Sequence, residues 1–179
     1  MKQLSTLLFF WLGLISTVLA QFPSYVTEVE LSAGKTVTAK GKLENGEDIE
    51  DLSWAERSSV ACFPGTQNAK FRNKHVFFAT EIPTQSILEI KLVPNSNTAD
   101  FSLYAYQVGL NNYTLPPDLG SCVSCEADHK WDYPKKGKTQ DHTRFVKLNA
   151  TTNPYRVVIG VSAPEGQKGE FSVELTLKQ

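Results

Sequence analysis

Residues 87–108 read ILEIKLVPNSNTADFSLYAYQV, and this stretch decides the fold class. Apolar residues occupy every second position in both halves, at 88, 90 and 92 and again at 101, 103 and 105. A period of two is typical of β-strands that bury one face and expose the other. The segment PNSNTAD between the halves is rich in turn residues, so the pattern predicts a β-hairpin. Each strand has one dry face, which a second layer must cover.

The same alternation recurs along the chain in shorter runs, at residues 25–31, 36–41, 76–80, 145–148, 155–161 and 171–177. The first two runs flank a turn at residues 32–35 and predict an N-terminal hairpin. Together the runs predict an all-β fold, an antiparallel, jelly-roll-like β-sandwich of seven to eight strands, with a β-barrel as the alternative. The alternation also predicts one shared core, made of Leu88, Ile90, Leu92, Phe101, Leu103, Val157, Ile159, Phe171, Val173 and Leu175.

Residues 109–144 interrupt this pattern. They contain several prolines, glycines and charges and show no apolar period. Segments of this length without secondary structure are uncommon inside a domain and are usually functional, tied down or disordered. We therefore expect one long loop here, which carries two of the three cysteines.

Residues 1–20 predict a secretory signal peptide. Lys2 supplies a positive start, residues 7–19 are almost all apolar, and VLA at 18–20 fits a cleavage site before Gln21. The apolar run is shorter than the roughly 20 residues of a membrane-spanning helix, and no later segment is apolar enough to span a bilayer. We expect one mature β-sandwich domain, residues 21–179, that is extracellular or periplasmic. The net charge of −1 favours neither nucleic acid nor an anionic membrane as partner.

Three cysteines, Cys62, Cys122 and Cys125, allow one disulfide and leave one thiol over. An exported chain can keep a disulfide, and a bridge from Cys62 to Cys122 or Cys125 would pin the long loop to the domain. Closing a loop of about 60 residues contributes roughly 4 kcal/mol in the chain-entropy model. A local disulfide between Cys122 and Cys125, or a redox or metal role for this C-x-x-C pair, are the alternatives.

Histidines and carboxylates in the long loop are candidate metal ligands. These are Asp128, His129, Asp132, Asp141 and His142. Their spacing matches no usual site, so a solvated polar loop is the simpler interpretation, and we assign no cofactor. An enzyme would bring His129 or His142 within hydrogen-bond reach of a carboxylate or cysteine inside a pocket. The chain has no Gly-x-Ser-x-Gly or His-Glu-x-x-His motif, and Cys62 with His75 would be the remaining catalytic pair.

Four aromatic residues are candidate binding residues. Tyr104 and Tyr106 share the strand face opposite Phe101 and Leu103, so parity predicts that they are solvent-accessible, unless the long loop covers them. Trp131 and Tyr133 lie in the long loop itself. Exposed aromatic side chains stack on sugar rings or anchor protein partners.

The order of the segments resembles the bacterial pre-peptidase C-terminal domain, a β-sandwich appended to secreted proteases and other exported proteins. The likeness rests on residues 75–83 (HVFFATEIP), 87–92 (ILEIKL), 99–106 (ADFSLYAY), 153–161 (NPYRVVIGV) and 169–175 (GEFSVEL). Some members of that family bind calcium or polymeric substrates. The usual Asp-x-Asp turn is reduced here to Asp100, so the resemblance implies the fold and a binding role but no calcium site.

The sequence therefore predicts a secreted or periplasmic binding or accessory module for a surface polymer, a glycan or another exported protein, and favours this over an enzyme. A hydrolase or metal-dependent enzyme with its site in residues 109–144, and a structural envelope protein, are the alternatives. Asn112 and Asn149 begin N-glycosylation sequons, which are used only in a eukaryotic host.

Overall fold

The computed structural model describes residues 21–179, which form nine β-strands and three short 3-10 helices. The strands are β1 (Val26–Glu28), β2 (Thr36–Lys42), β3 (Val76–Ile82), β4 (Ser86–Pro94), β5 (Ser102–Val108), β6 (Ser124–Asp128), β7 (Arg144–Ala150), β8 (Tyr155–Ser162) and β9 (Glu170–Lys178). The 3-10 helices are Leu43–Asn45, Ser53–Glu56 and Gly65–Phe71. Within this part of the chain, no helix has the length and apolar character needed to cross a membrane. The predicted signal peptide, residues 1–20, lies outside the described residues.

The strands form two sheets that pack face to face. The five-stranded sheet has the order β1-β3-β8-β5-β6, and the four-stranded sheet has the order β2-β9-β4-β7. All pairs are antiparallel except β1 with β3, which is parallel. The all-β sandwich predicted from the sequence is confirmed, with nine strands instead of seven to eight. Strand β6 lies inside residues 109–144, so the expectation of an unstructured loop across that whole range is wrong.

The two predicted hairpins are also wrong. Strand β4 pairs with β7 and β9, whereas β5 pairs with β6 and β8 in the other sheet. Strands β1 and β2 likewise belong to different sheets. The turn-rich residues 95–101 carry the chain across the sandwich, so the dry faces of β4 and β5 face one another instead of lying side by side. A period of two specifies the dry face of a strand but not its hydrogen-bonded neighbour.

The inner core fills the space between the two sheets and is mostly aliphatic. All ten residues predicted to share one core belong to it: Leu88, Ile90, Leu92, Phe101, Leu103, Val157, Ile159, Phe171, Val173 and Leu175. The intervening side chains of β4 point outward, where Glu89 pairs with Lys178 at 2.6 Å and Lys91 pairs with Glu174 at 3.4 Å. The prediction of which β4 side chains face the core and which face outward is therefore confirmed.

A second apolar cluster, here called the outer cluster, covers the opposite face of the five-stranded sheet. Its largest members are aromatic: Phe22, Trp54, Phe63, Phe71, Phe77, Tyr104 and Tyr106. Tyr104 and Tyr106 are 0% exposed, so the prediction that they are solvent-accessible is wrong. The covering residues come mainly from the 3-10 helices and turns of residues 49–71, with a contribution from residues 113–122. Parity correctly placed both tyrosines opposite the inner core, but that face is buried as well.

Candidate functional site

Residues 129–143, here called the basic loop, connect β6 to β7 and hold the two remaining aromatic candidates. Tyr133 is 84% exposed, and Trp131 is partly buried. Residues 132–139, which lie between Trp131 and Gln140, are all exposed. The long loop predicted from the sequence is thus confined to this connection and to the segment that precedes β6.

Side-chain contacts at its base give the basic loop a defined shape. The Gln140 side chain accepts a hydrogen bond from the Trp131 backbone N–H and donates one to the Trp131 carbonyl, both at 3.0 Å. Lys70, from the 3-10 helix Gly65–Phe71, pairs with Asp132 at 2.8 Å. This pairing holds the pKa of the Asp132 carboxyl below its ordinary value. The tip closes through a turn in which Lys138 donates to the carbonyl of Lys135, with Gly137 at a positive φ of 72°.

The end of the basic loop is anchored to the sandwich by a buried arginine. The Arg144 guanidinium donates to the carbonyls of Phe101, Asp141 and Thr143 and pairs with Asp100 at 3.2 Å. These contacts neutralise the charge of the guanidinium and satisfy its hydrogen-bond donors, although Arg144 is only 2% exposed. Both ends of the basic loop are therefore attached to ordered parts of the fold.

The charge of the basic loop is positive although that of the whole chain is −1. Its four lysines, at 130, 135, 136 and 138, outnumber its two aspartates and give a local charge of +2. The Lys135 ammonium lies over the Trp131 ring, 4.4 Å from its centroid, which is a cation–π contact. Lys130, Trp131 and Lys138 line a cleft of about 310 Å³ beside His142. The arrangement can therefore present fixed ammonium groups next to aromatic surface.

The five candidate metal ligands do not converge. Asp132 binds Lys70, Asp141 accepts hydrogen bonds from Thr143, and Asp128 accepts one from the backbone N–H of Phe145. The Nδ1 atoms of His129 and His142 are buried without a hydrogen-bond partner in residues 21–179. Burial lowers the pKa of His129 below its ordinary value. Among the described residues, no group of three or more His, Cys, Asp or Glu side chains is placed to hold a metal ion.

His75 lies in the outer cluster and makes no catalytic pair with Cys62. Its Nε2 donates to the carbonyl of Phe71 at 3.0 Å, which leaves Nδ1 to accept from the Tyr104 hydroxyl at 2.8 Å. Burial lowers the pKa of His75 to about 4, although the hydrogen bond to Phe71 acts in the opposite direction. This histidine is therefore neutral near pH 7 and serves as a buried polar link.

The three cysteines meet at the edge of the outer cluster. The carbonyl of Ser59 accepts from the Cys122 backbone N–H at 2.9 Å, and the Cys125 thiol donates to the carbonyl of Ala61 at 3.1 Å. The segment that carries the C-x-x-C pair therefore contacts the residues just before Cys62, and the pairing of the cysteines stays a prediction. The predicted disulfide is not formed in this structure, where all three cysteines are free thiols.

Trp131 and Tyr133 were candidates from the sequence, but the lysines and the glutamine that lie beside them in the structure were not. The run KKGK at residues 135–138, close to Trp131, was the available signal for a basic aromatic surface. The role of Gln140 had no signal, because it depends on two backbone groups nine positions away.

No protein-family model and no curated protein sequence matches the chain. Solved structures do match it. The pre-peptidase C-terminal domain of collagenase from Bacillus anthracis is 11% identical, with a TM-score of 0.42, and the match covers 89% of this chain and all of that one.

Two further solved structures are similar to the chain. CorA, a surface-associated copper-binding protein of Methylomicrobium album BG8, is 10% identical with a TM-score of 0.45, and the match covers 86% of this chain and 98% of that one. PliG, a periplasmic inhibitor of g-type lysozyme from Aeromonas hydrophila, is 8% identical with a TM-score of 0.36, and the match covers 86% and 97%. A pre-peptidase C-terminal domain, the family that the sequence resembles, is therefore among the solved structures similar to this chain.

Proposed function

We propose that this protein is an exported binding module whose basic loop binds an acidic surface polymer. The observation that carries the proposal is the Lys135–Trp131 contact on a loop whose shape is held by Gln140 and Lys70. The module would be the mature chain that begins at Gln21, after removal of residues 1–20 outside the cytoplasm. An acidic glycan is the ligand class that the residues fit best.

The fixed conformation of the basic loop supports binding because the loop is already ordered before a ligand binds. A flexible loop would lose conformational entropy on binding, whereas a loop fixed at its base loses less. Trp131 is held by backbone contacts on both sides, and Lys135 is held over its ring. Tyr133 stands free at the tip, where its ring can stack on a sugar.

The charge supports an acidic ligand over a neutral one. None of the four lysines in the basic loop forms an ion pair within residues 21–179. Their ammonium groups are available to carboxylate, sulfate or phosphate groups. Repeated anionic groups along a polymer would engage several lysines at once, which raises the overall affinity above that of a single contact.

The test measures binding of the mature protein to immobilised uronate-, sulfate- and phosphate-bearing polymers, with neutral dextran as reference. We expect binding to at least one acidic polymer and none to dextran. The double variant K135Q/K138Q should bind roughly tenfold more weakly, since each exposed ion pair contributes up to about 1 kcal/mol. Binding should also weaken as the Debye length falls from about 10 Å at 0.1 M salt to about 3 Å at 1 M.

The matched control is K35Q/K40Q, which removes the same charge from exposed positions in or beside β2, at the far edge of the four-stranded sheet. We expect this variant to bind like the unaltered protein. Equal weakening by both double variants would mean that overall charge matters and the basic loop does not. Binding to none of the polymers would overturn the proposal.

A further inference from the structure

The three thiols lie where two distant parts of the chain run side by side. Ser59 bonds to both Gly120 and Cys122 through its hydroxyl and its carbonyl, at 3.0 Å and 2.9 Å. Cys125 lies in β6 directly opposite Tyr106 of β5, and its thiol donates to the carbonyl of Ala61. The cover of the outer cluster, which carries Cys62, is thereby fastened to the segment that carries Cys122 and Cys125.

We propose that these cysteines form a thiol–disulfide exchange site in which Cys125 is the shared partner of Cys62 and Cys122. The Cys125 thiol donates to the carbonyl of Ala61, the residue before Cys62, whereas the Cys122 thiol donates to the carbonyl of Ser59, three positions before Cys62, at 3.4 Å. Cys125 also shares the C-x-x-C segment with Cys122. All three cysteines are partly exposed, so a small disulfide in solution can reach them. This site is separate from the basic loop and does not depend on any polymer ligand.

Oxidation would use a low-molecular-weight disulfide as the electron acceptor. A thiolate of the pair attacks one sulfur of that disulfide, and a small thiolate leaves and takes up a proton. The second cysteine then attacks the mixed disulfide and releases the other small thiol. One protein disulfide forms, two protein thiols lose two electrons and two protons, and the small disulfide becomes two thiols.

Exchange between the two protein disulfides needs no oxidant. The Cys122 thiolate attacks the sulfur of Cys125 in a Cys62–Cys125 disulfide, so the Cys122–Cys125 bond forms as the Cys62–Cys125 bond breaks. Cys62 takes up the proton that Cys122 lost. The neighbouring Cys125 thiol and burial raise the pKa of Cys122. The Cys122 thiol acts to lower the pKa of Cys125, but the Cys62 thiol and burial outweigh it and raise that pKa to about 12. The thiolates are therefore scarce at neutral pH, and exchange should accelerate as the pH rises.

The two disulfides differ in what they connect. The Cys62–Cys125 bond joins the cover of the outer cluster to β6 and closes a long loop, whereas the Cys122–Cys125 bond closes a short one. The longer loop removes more entropy from the unfolded chain. Cys122→Ser can form only the Cys62–Cys125 bond, and Cys62→Ser can form only the Cys122–Cys125 bond. We therefore expect oxidation to raise the melting temperature of Cys122→Ser about twice as much as that of Cys62→Ser.

Tryptic mapping without reduction distinguishes the two states. Cleavage after Arg57, Lys70, Lys91 and Lys130 separates Cys62, in peptide 58–70, from the other two cysteines, in peptide 92–130. A Cys62–Cys125 bond links these peptides, and a Cys122–Cys125 bond stays within the second. The protein is incubated with oxidised and reduced glutathione and a metal chelator, then alkylated.

We expect both species in the unaltered protein, only the linked pair in Cys122→Ser and only the internal bond in Cys62→Ser. Cys125→Ser should form neither. The purified linked form, freed of glutathione, should regenerate the internal form, but not after its Cys122 thiol has been alkylated. Each variant must melt cooperatively when reduced, and Cys125→Ala replaces Cys125→Ser if the latter does not.

Cys125→Ser could still form a Cys62–Cys122 bond. If it did so in the same yield as the Cys62–Cys125 bond of Cys122→Ser, the shared role of Cys125 would be overturned. The absence of intramolecular disulfides from all forms of the protein would overturn the exchange site altogether.

Discussion

The two faces of the five-stranded sheet are both buried, but they are buried by different means. The inner core is closed by a second sheet and consists mainly of aliphatic side chains. The outer cluster is closed by turns and 3-10 helices, and its largest side chains are aromatic. It also holds His75 and the hydroxyls of Tyr104 and Tyr106. The irregular cover brings its own backbone carbonyls, such as that of Phe71, into the cluster.

Aromatic packing in the outer cluster compensates for its irregular cover. Phe63 and Phe71 from the cover stack at 3.9 Å, and Trp54 meets Phe63 edge to face at 5.6 Å. Large flat rings bury much area with few residues, so a cover without strands can still exclude water. Tyr104 lies across Gly160 of the neighbouring strand β8, where any larger residue would overlap its ring. The lesson is that alternation on a strand does not reveal whether its second face is wet.

The largest loss of stability should come from removing a large side chain where the surrounding residues cannot move in to fill the cavity. Phe171→Ala in the inner core should lower the free energy of unfolding by about 3–5 kcal/mol. Phe63→Ala should cost less, because the turns that cover it can relax into the space. Urea denaturation of both variants compares the two faces with the same chemical change. An equal loss would show that the irregular cover is as rigid as a sheet.

Acid should weaken the outer cluster through His75. The folded state holds the pKa of His75 near 4, against an ordinary value of 6.5, so the unfolded chain binds the proton more readily. Stability is then lost as the pH falls from about 6.5 to about 4, by roughly 3 kcal/mol. Denaturation curves across this range should show the loss in the unaltered protein and not in His75→Gln.

His129→Gln is the matched control for the acid effect, since His129 is only partly buried. It should keep most of the dependence on pH. If His75→Gln and the unaltered protein lost stability in parallel between these pH values, His75 would not be the group responsible.

Two tyrosines of one strand should respond differently to loss of the hydroxyl. Tyr104 donates to His75, so Tyr104→Phe leaves a buried nitrogen without its partner and should cost about 1–3 kcal/mol. The Tyr106 hydroxyl has no hydrogen-bond partner within residues 21–179, so Tyr106→Phe should change stability by less than about 0.5 kcal/mol. Thermal unfolding of the two variants is the measurement. A larger loss in Tyr106→Phe would contradict this account of the cluster.

The smallest effect on stability should come from the basic loop. Tyr133 is 84% exposed, so Tyr133→Ser should leave the free energy of unfolding within about 0.5 kcal/mol of its original value. The same variant should bind the acidic polymer less tightly if the ring stacks on it. A marked drop in melting temperature would mean that Tyr133 packs against the fold, and unchanged polymer binding would remove it from the proposed site.

The inner core could be predicted from the sequence because its residues lie on strands, where burial repeats every two positions. Its ten predicted members, from Leu88 to Leu175, are all in place. Strand pairing could not be predicted in the same way, since alternation carries no information about the neighbouring strand. The segment PNSNTAD has the composition of a hairpin turn, but it also suits a connection between two sheets.

The outer cluster could not be predicted because its cover has no period. Trp54, Phe63 and Phe71 lie in 3-10 helices and turns, where the buried side chains follow no regular spacing. Their partners Tyr104 and Tyr106 therefore gave the pattern of an exposed face. In the candidate site, Trp131 and Tyr133 were recognised by residue type, but the contacts that hold the basic loop join residues distant in sequence, such as Lys70 and Asp132.

The path of the chain between the two sheets has a consequence for how fast the protein folds. Among the strands of residues 21–179, β5 and β6 are the one pair of consecutive strands that are also neighbours in a sheet, and residues 109–123 separate them. No short hairpin is therefore available to form early. Every ladder must wait for the closure of a longer segment, which makes the contact order high. Refolding on a timescale of milliseconds to seconds, typical of β-sandwiches, is the expected result.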